Sequence, residues 1–250
     1  MFRAKPYESY YKLRLKYGSA TPKPWKLLTI NPDDIVGVST PPFFKESHSY
    51  TEIDVVGGEW DIIDPDRKIG VKRDGYEPAS AIPFTTENWG WYRSIKKYVE
   101  QGVKWKDTEA HEFYVKNNSQ SRSEYRQKKI DRLHESIQKS GYKTPSELAN
   151  SKEDYPPSIR HENHNTIIVN IGRDGSYILE DGKNRSCLAK LLDVESVAVR
   201  VLVRHEEWQS IRSEVSNADS IDRLSEKARR QLDHPDLRDV RPGRSKNDQP

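Results

Sequence analysis

The sequence predicts an α+β protein built on a mixed sheet flanked by helices. Three stretches carry that expectation. Thr166 to Ile171 is a β-branched run, Arg173-Asp174-Gly175 has turn chemistry and Ser176 to Glu180 reads as a returning strand, which together make a hairpin. A helix with Leu188, Ala189, Leu191 and Leu192 at helical spacing follows up to Asp193, and Val197 to Val203 is a third strand. Upstream, Trp25 to Val38 reads as strand, turn and strand about Asn31-Pro32-Asp33. Between these stretches a capping box of Ser121 and Glu124 opens a long helix through Lys139; Ile130, Leu133 and Ile137 form its buried stripe and Gly141 ends it.

In chain order, residues 1–24 are a basic and aromatic segment. Phe2 to Tyr17 interleaves Tyr7, Tyr10, Tyr11, Leu13 and Leu15 with Arg3, Lys5, Lys12, Arg14 and Lys16, so it suits either a terminal helix docked on its own domain or contact with an anionic membrane or nucleic acid. Gly18 to Pro24 reads as a linker, Pro41 to Lys45 as an extended surface segment and Tyr50 to Val56 as a strand. Lys68 to Lys72 is a short strand between the loop signals Asp64-Pro65-Asp66 and Arg73-Asp74-Gly75.

Trp89, Trp91, Tyr92, Ile95, Tyr98 and Val99 mark a helix ending near Gly102, and Asp107-Thr108 opens another with His111, Phe113, Tyr114 and Val115. That spacing assigns the aromatic side chains to a core rather than to a base-stacking platform. His111, between Glu109 and Glu112, has no H-x3-H partner and reads as a satisfied surface histidine. Thr144-Pro145-Ser146-Glu147 repeats the capping device, and the polar loop Tyr155 to Asn165 carries His161 and His164, which read as loop residues rather than metal ligands. Residues 206–233 are C-terminal helices. Residues 234–250 have almost no hydrophobic anchors and read as a disordered tail.

Two stretches have the makings of a site. Asp181-Gly182-Lys183-Asn184-Arg185-Ser186 lies where the second strand of the hairpin meets the helix. A helix start leaves backbone N–H groups without partners and carries roughly half a positive charge, so it attracts anions. Gly182 removes the Cβ that would hold a phosphate off, Lys183 and Arg185 add positive charge and Asn184 a neutral donor. The same residues also fit an ordinary junction, with Asp181 as N-cap and two solvated cations. The second stretch is Gly57-Gly58-Glu59-Trp60-Asp61, two carboxylates about an aromatic ring after a strand. It reads equally as a turn over a buried Trp60. Arg173 and Trp60 are further candidate ligand contacts, as are Arg204 and His205, which stand at the end of the third strand and could instead cap the next helix.

The order strand, turn, strand, D-G-K-N-R, Leu/Ala-rich helix and V-x-V-x-V strand resembles the ParB/sulfiredoxin-like domain, whose G-x-[HR]-R motif binds nucleotide phosphates. Gly182-Lys183-Asn184-Arg185 matches that motif, with Asn184 where His or Arg is more usual. Ile130 to Gly141 is similar to the family's L-x-x-S-I-x-x-x-G helix, and Leu27 to Ile35 resembles its opening strand and turn. The resemblance implies a domain over residues 25–205 with a large aromatic-rich insertion at about 38–117. It further implies ATP or another nucleoside di- or triphosphate held by Asp181 to Ser186, with Mg²⁺ bridging the phosphates. In kinase relatives an acidic residue ahead of the L-x-x-S-I helix is the general base, a position that Asp61 or Glu59 resembles. Sulfinic-acid reduction is excluded, because Lys183 and Asn184 stand where its thiolate would be needed and Cys187 lies beyond them.

The expected function is nucleotide-dependent phosphotransfer to a small hydroxylated acceptor, such as a sugar or an amino acid. Two alternatives remain: a ParB-like nucleotide-gated DNA-binding protein using the N-terminal segment and C-terminal helices, and a nuclease with a metal site of Asp174, Glu180 and Asp181.

Composition bounds these readings. One cysteine among 250 residues excludes a disulfide framework and a cysteine-rich zinc site. No run approaches a membrane span and Met1 to Tyr17 lacks the apolar centre of a signal peptide, so a cytoplasmic protein is expected. With 42 basic and 39 acidic residues the formal net charge is only +3, so any nucleic-acid surface has to be local.

Overall fold

The computed structural model describes residues 5–24, 26–39, 53–71, 83–144, 147 and 166–242. The fold is α+β, with a mixed seven-stranded sheet. The strands are β1 (Leu27–Ile30), β2 (Ile35–Val38), β3 (Asp54–Val56), β4 (Phe84–Thr85), β5 (Ile167–Ile171), β6 (Tyr177–Asp181) and β7 (Val197–His205). The helices are α1 (Lys5–Tyr17), α2 (Gly90–Val99), α3 (Glu109–Asn117), α4 (Gln120–Ser140), α5 (Lys183–Leu191), α6 (Glu206–Asn217) and α7 (Glu226–Arg230). None of the described helices is long and apolar enough to cross a membrane.

The sheet runs β1-β7-β5-β6-β2-β4, with β3 also on β7. At nine residues β7 is long enough for two partners along one side, β1 antiparallel over Val197 to Arg200 and β3 parallel over Val203 to His205. Alternate residues face opposite ways. Ile167, Val169, Val199 and Val201 enter the large core shared with the helices, whereas Ile168, Ile178 and Leu202 join Trp60 in a smaller core on the other face. A register slip between β5 and β7, where Val169 pairs with Val201 but Ile171 with Arg204, shifts the phase of the last β7 residues.

Strand polarity decides where chemistry can gather. β2 and β6 are parallel and finish side by side at Val38 and Asp181. β3, β5 and β7 are parallel to one another and finish together at Val56, Ile171 and His205. Because β5 and β6 are antiparallel, these two sets of carboxyl ends lie at opposite edges of the sheet.

Several sequence expectations change here. The aromatic side chains keep the core role their spacing assigned: Phe84 is in strand β4, and Trp89, Trp91, Tyr92, Ile95, Trp105 and Tyr114 lie in the large core. The long helix starts two residues early, because Ser119 rather than Ser121 is its N-cap, accepting from the Arg122 N–H at 3.2 Å. Thr144 and Glu147 do form a reciprocal capping pair. Lys68 to Lys72 contributes only an isolated bridge, Ile69 to Trp89, among the described residues. The linker is docked, since the buried carbonyl of Ala20 accepts from Gln209 Nε2 at 3.1 Å and Arg212 Nε at 2.9 Å. Trp25, the Pro41 to Lys45 segment, His161 and His164 lie outside the described residues.

The largest departure is at the C-terminus. Residues 234–242, assigned to a disordered tail, hold a short 3-10 turn, Pro235–Leu237, with Asp236 and Leu237 buried. Asp236 accepts from Arg204 (2.6 and 2.9 Å) and from Trp208 Nε1 (3.1 Å), and Arg212 donates to the Asp236 carbonyl and to both oxygens of Asp239 (2.9 Å each). Hydrophobic content misjudges this segment because, beside Leu237 in the large core, its anchors are ionic. Residues 243–250 lie outside the described residues.

Candidate functional site

The first candidate stretch sits at the carboxyl end of β6. Asp181 is the last residue of the strand rather than the N-cap of the helix, and its Oδ1 accepts from the Gly182 N–H at 2.7 Å. Gly182 is the N-cap, in the left-handed region at φ 86°, ψ 27°. A Cβ there would lie 2.8 Å from Ile167 Cα and 3.1 Å from the Thr166 carbonyl oxygen, so packing against β5 requires glycine whether or not a ligand binds. Thr108, Ser119, His205 and Ser225 cap α3, α4, α6 and α7 with side chains. Gly182 has none to offer, and no side chain caps α5 among the described residues. As at Trp89 before α2, the N-cap residue of α5 offers no side-chain acceptor to the first turn of its helix.

Around this helix start the side chains are braced by aromatic residues of α2 and of the α4 exit. Lys183 Nζ lies 3.6 Å above the Trp91 ring, and Asn184 Oδ1 accepts from Trp91 Nε1 at 3.2 Å. Arg185 stands beside Tyr142, just past α4; burial pushes the Tyr142 hydroxyl up, and Arg185 pulls it back in part. The Ser186 hydroxyl is buried with no hydrogen-bond partner among the described residues. Next along β6, Glu180 is buried and accepts from Asn170 Nδ2 at 2.9 Å and from the hydroxyl of Ser39, the residue after β2.

The second stretch is elsewhere. Glu59, Trp60 and Asp61 follow β3 at the opposite edge, beside the hairpin turn, about 13 Å of strand away from Gly182 at ~3.3 Å per residue. Trp60 packs into the smaller core and donates to the Val56 carbonyl at 3.1 Å. Asp61 is buried against Arg173, accepting its backbone N–H at 2.6 Å, its Nη2 at 2.8 Å and its Nε at 3.1 Å. Burial pushes the Asp61 carboxyl up, but the Arg173 side-chain and backbone hydrogen bonds together outweigh it and leave the pKa lowered. Arg173 Nη2 also donates to the Gly58 carbonyl at 2.7 Å.

This corrects the role of Asp61 as a general base. Its lone pairs are occupied by Arg173, its pKa moves away from neutrality, and it is not assembled with the Gly182 loop. Glu59 shares its edge. Arg204 and His205 are likewise structural: Arg204 is buried in the ion pair with Asp236, while His205 Nε2 lies 2.8 Å from the Gly58 carbonyl and its Nδ1 accepts from the Glu207 N–H at 3.1 Å as the N-cap of α6. The nuclease trio is also dispersed. Asp174 sits in the hairpin turn, accepting from the Ser176 N–H, at the far end of β6 from Glu180 and Asp181. Among the described residues no group of three or more His, Cys, Asp and Glu side chains gathers as a metal cage.

Comparison with protein-family models, with curated proteins and with solved structures returned no match. The site stands on its own geometry.

Sequence reasoning missed Ser39, Asn170 and Trp91. Ser39 and Asn170 lie 141 and 10 residues from Glu180 in the chain and meet it only because β2 and β5 flank β6. Trp91 carried only a helical-spacing signal, which identified it as core and was silent about which helix it braces.

Proposed function

We propose that this chain is a nucleotide-dependent phosphotransferase of the ParB/sulfiredoxin-like type, which binds the phosphates of ATP or another nucleoside di- or triphosphate at the start of α5. The observation that carries the reading is the uncapped start of α5 at Gly182, at the shared carboxyl edge of the parallel strands β2 and β6. Such an edge is where open sheets with parallel strands place ligands, and the first turn of a helix there presents backbone N–H groups toward an anion. Lys183 and Arg185 supply charge, and the orphaned Ser186 hydroxyl is a further donor.

Mg²⁺ suits this donor set, because it keeps several waters and binds through one or two carboxylates plus phosphate oxygens. Asp181, at the mouth of the loop, is the carboxylate that would hold it. Once bound, Mg²⁺ neutralises phosphate charge during transfer. Of the two carboxylates on the same strand end as Gly182, Glu180 is buried on Asn170 and Ser39, so the half-buried Asp181 replaces Asp61 as the group beside the acceptor's proton.

Titration calorimetry with ATP, ADP, CTP and GTP, with and without Mg²⁺, tests the reading. One nucleotide is expected to bind, and Arg185→Ala to weaken it at least tenfold. Asp181→Asn is expected to retain nucleotide binding without Mg²⁺ and lose turnover. Unchanged affinity in Arg185→Ala and Lys183→Ala alike would remove the phosphate site.

A further inference from the structure

Outside the α5 region, one long helix presents a charge pattern that the fold leaves unused. Helix α4 carries Arg122, Arg126, Lys128, Lys129, Arg132 and Lys139 against Glu124, Asp131 and Glu135, an excess equal to the formal net charge of +3 of the whole chain. The two signs are segregated. At 3.6 residues per turn, Arg122, Tyr125, Lys128, Lys129, Arg132 and Lys139 fall within a wedge of about 120° that contains no acid. All six are exposed. Ser123, Ile130 and Ile137 define the opposite, buried side, and Asp131 is drawn inward to Tyr98, whose hydroxyl donates to it at 2.7 Å.

Tyr125 occupies the middle of this stripe with its side chain in solvent, flanked by Arg122 at 5.4 Å and Lys129 at 5.7 Å from its ring centroid. Arg122 to Arg132 spans ~15 Å of helix at 1.5 Å per residue. We infer that the exposed face of α4 binds single-stranded nucleic acid: the cations track the phosphates, and Tyr125 with the Arg122 guanidinium stacks on unpaired bases. Charge complementarity argues for a polyanion. The planar groups argue for exposed bases, and the lack of any aliphatic side chain in the stripe argues against insertion into a lipid surface. The inference is independent of nucleotide binding at α5.

Fluorescence anisotropy of the full chain with a labelled 20-nucleotide oligothymidylate tests it. With about four cations on phosphates, affinity is expected to fall roughly 50-fold between 50 and 200 mM salt. The double reversal Lys129→Glu/Arg132→Glu should lose at least tenfold with an unchanged melting temperature, and Tyr125→Ala about tenfold for the single strand with no loss for a duplex of the same length. Lys116→Glu, on α3 and off the stripe, should bind as wild type. The inference is overturned by absence of binding at 50 mM salt, by equal losses in Lys116→Glu and the double reversal, by a duplex preference with no effect of Tyr125→Ala, or by capture on anionic vesicles in place of the oligonucleotide.

Discussion

Asp236 is the residue on which most buried charge converges. Its carboxylate faces Arg204 and Arg212, with Trp208 Nε1 as a third donor, and Asp239 completes the charge balance by pairing with Arg212 and with Lys26 at 3.1 Å. Removing one member of a buried ion network leaves uncompensated charge, so Asp236→Ala is expected to cost about 3–5 kcal/mol, read as a fall in the urea midpoint. For Asp236 and Asp239 the neighbouring guanidinium groups outweigh burial and hold the carboxyl below its ordinary range, and for Asp61 Arg173 does so. A carboxylate depressed in the folded state stabilises above its unfolded pKa of about 3.9, and that contribution fades as pH falls toward the folded value. Stability should therefore decline first below about pH 6.5, where burial keeps the His234 ring neutral in the folded state, and drop further between roughly pH 4 and pH 2. Urea midpoints that do not change between pH 7 and pH 3 would contradict this. Asp61→Asn should melt earlier than wild type at pH 7 without abolishing turnover, since its partner is Arg173 and not a substrate.

At the scale of elements, α5 directly follows the hairpin, and its entry is set by one backbone conformation. Gly182→Ala combines a left-handed φ with a clash against Ile167, and is expected to destabilise by about 1–3 kcal/mol and to perturb the N–H groups of Lys183 to Arg185. Thermal melts and nucleotide titration on the same variant separate the two effects. Gly175 in the hairpin turn is constrained similarly, at φ 91° with the Trp208 ring 2.7 Å from an added Cβ, but there an alanine is expected to affect stability alone. The hydrophobic spacing of α4 and the β-branched runs of β5 and β7 made these elements legible in the sequence. The start of α4 was less so: Ser119 and Ser121 are both plausible caps, and the backbone geometry chose the first.

For the molecule as a whole, the C-terminal segment is part of the fold. A chain ending at Asp233 would leave Arg204 and Arg212 buried without the carboxylates of Asp236 and Asp239, and is expected to lose at least as much stability as Asp236→Ala, measured by denaturant unfolding. The two candidate stretches were each recognised from residue type, but their separation was not, because it follows from β5 and β6 being antiparallel while β3 and β7 run with β5. Residue order alone determined the α+β class, the hairpin, the helix after it and the glycine at its start, since turn chemistry and hydrophobic period are local properties of the chain. Tertiary structure alone decided that Asp61 serves Arg173, that Glu180 meets Ser39 and Asn170, and that an apparently unanchored terminus is held by ions. Partners more than a hundred residues apart are brought together by strand order and polarity, which no local pattern encodes.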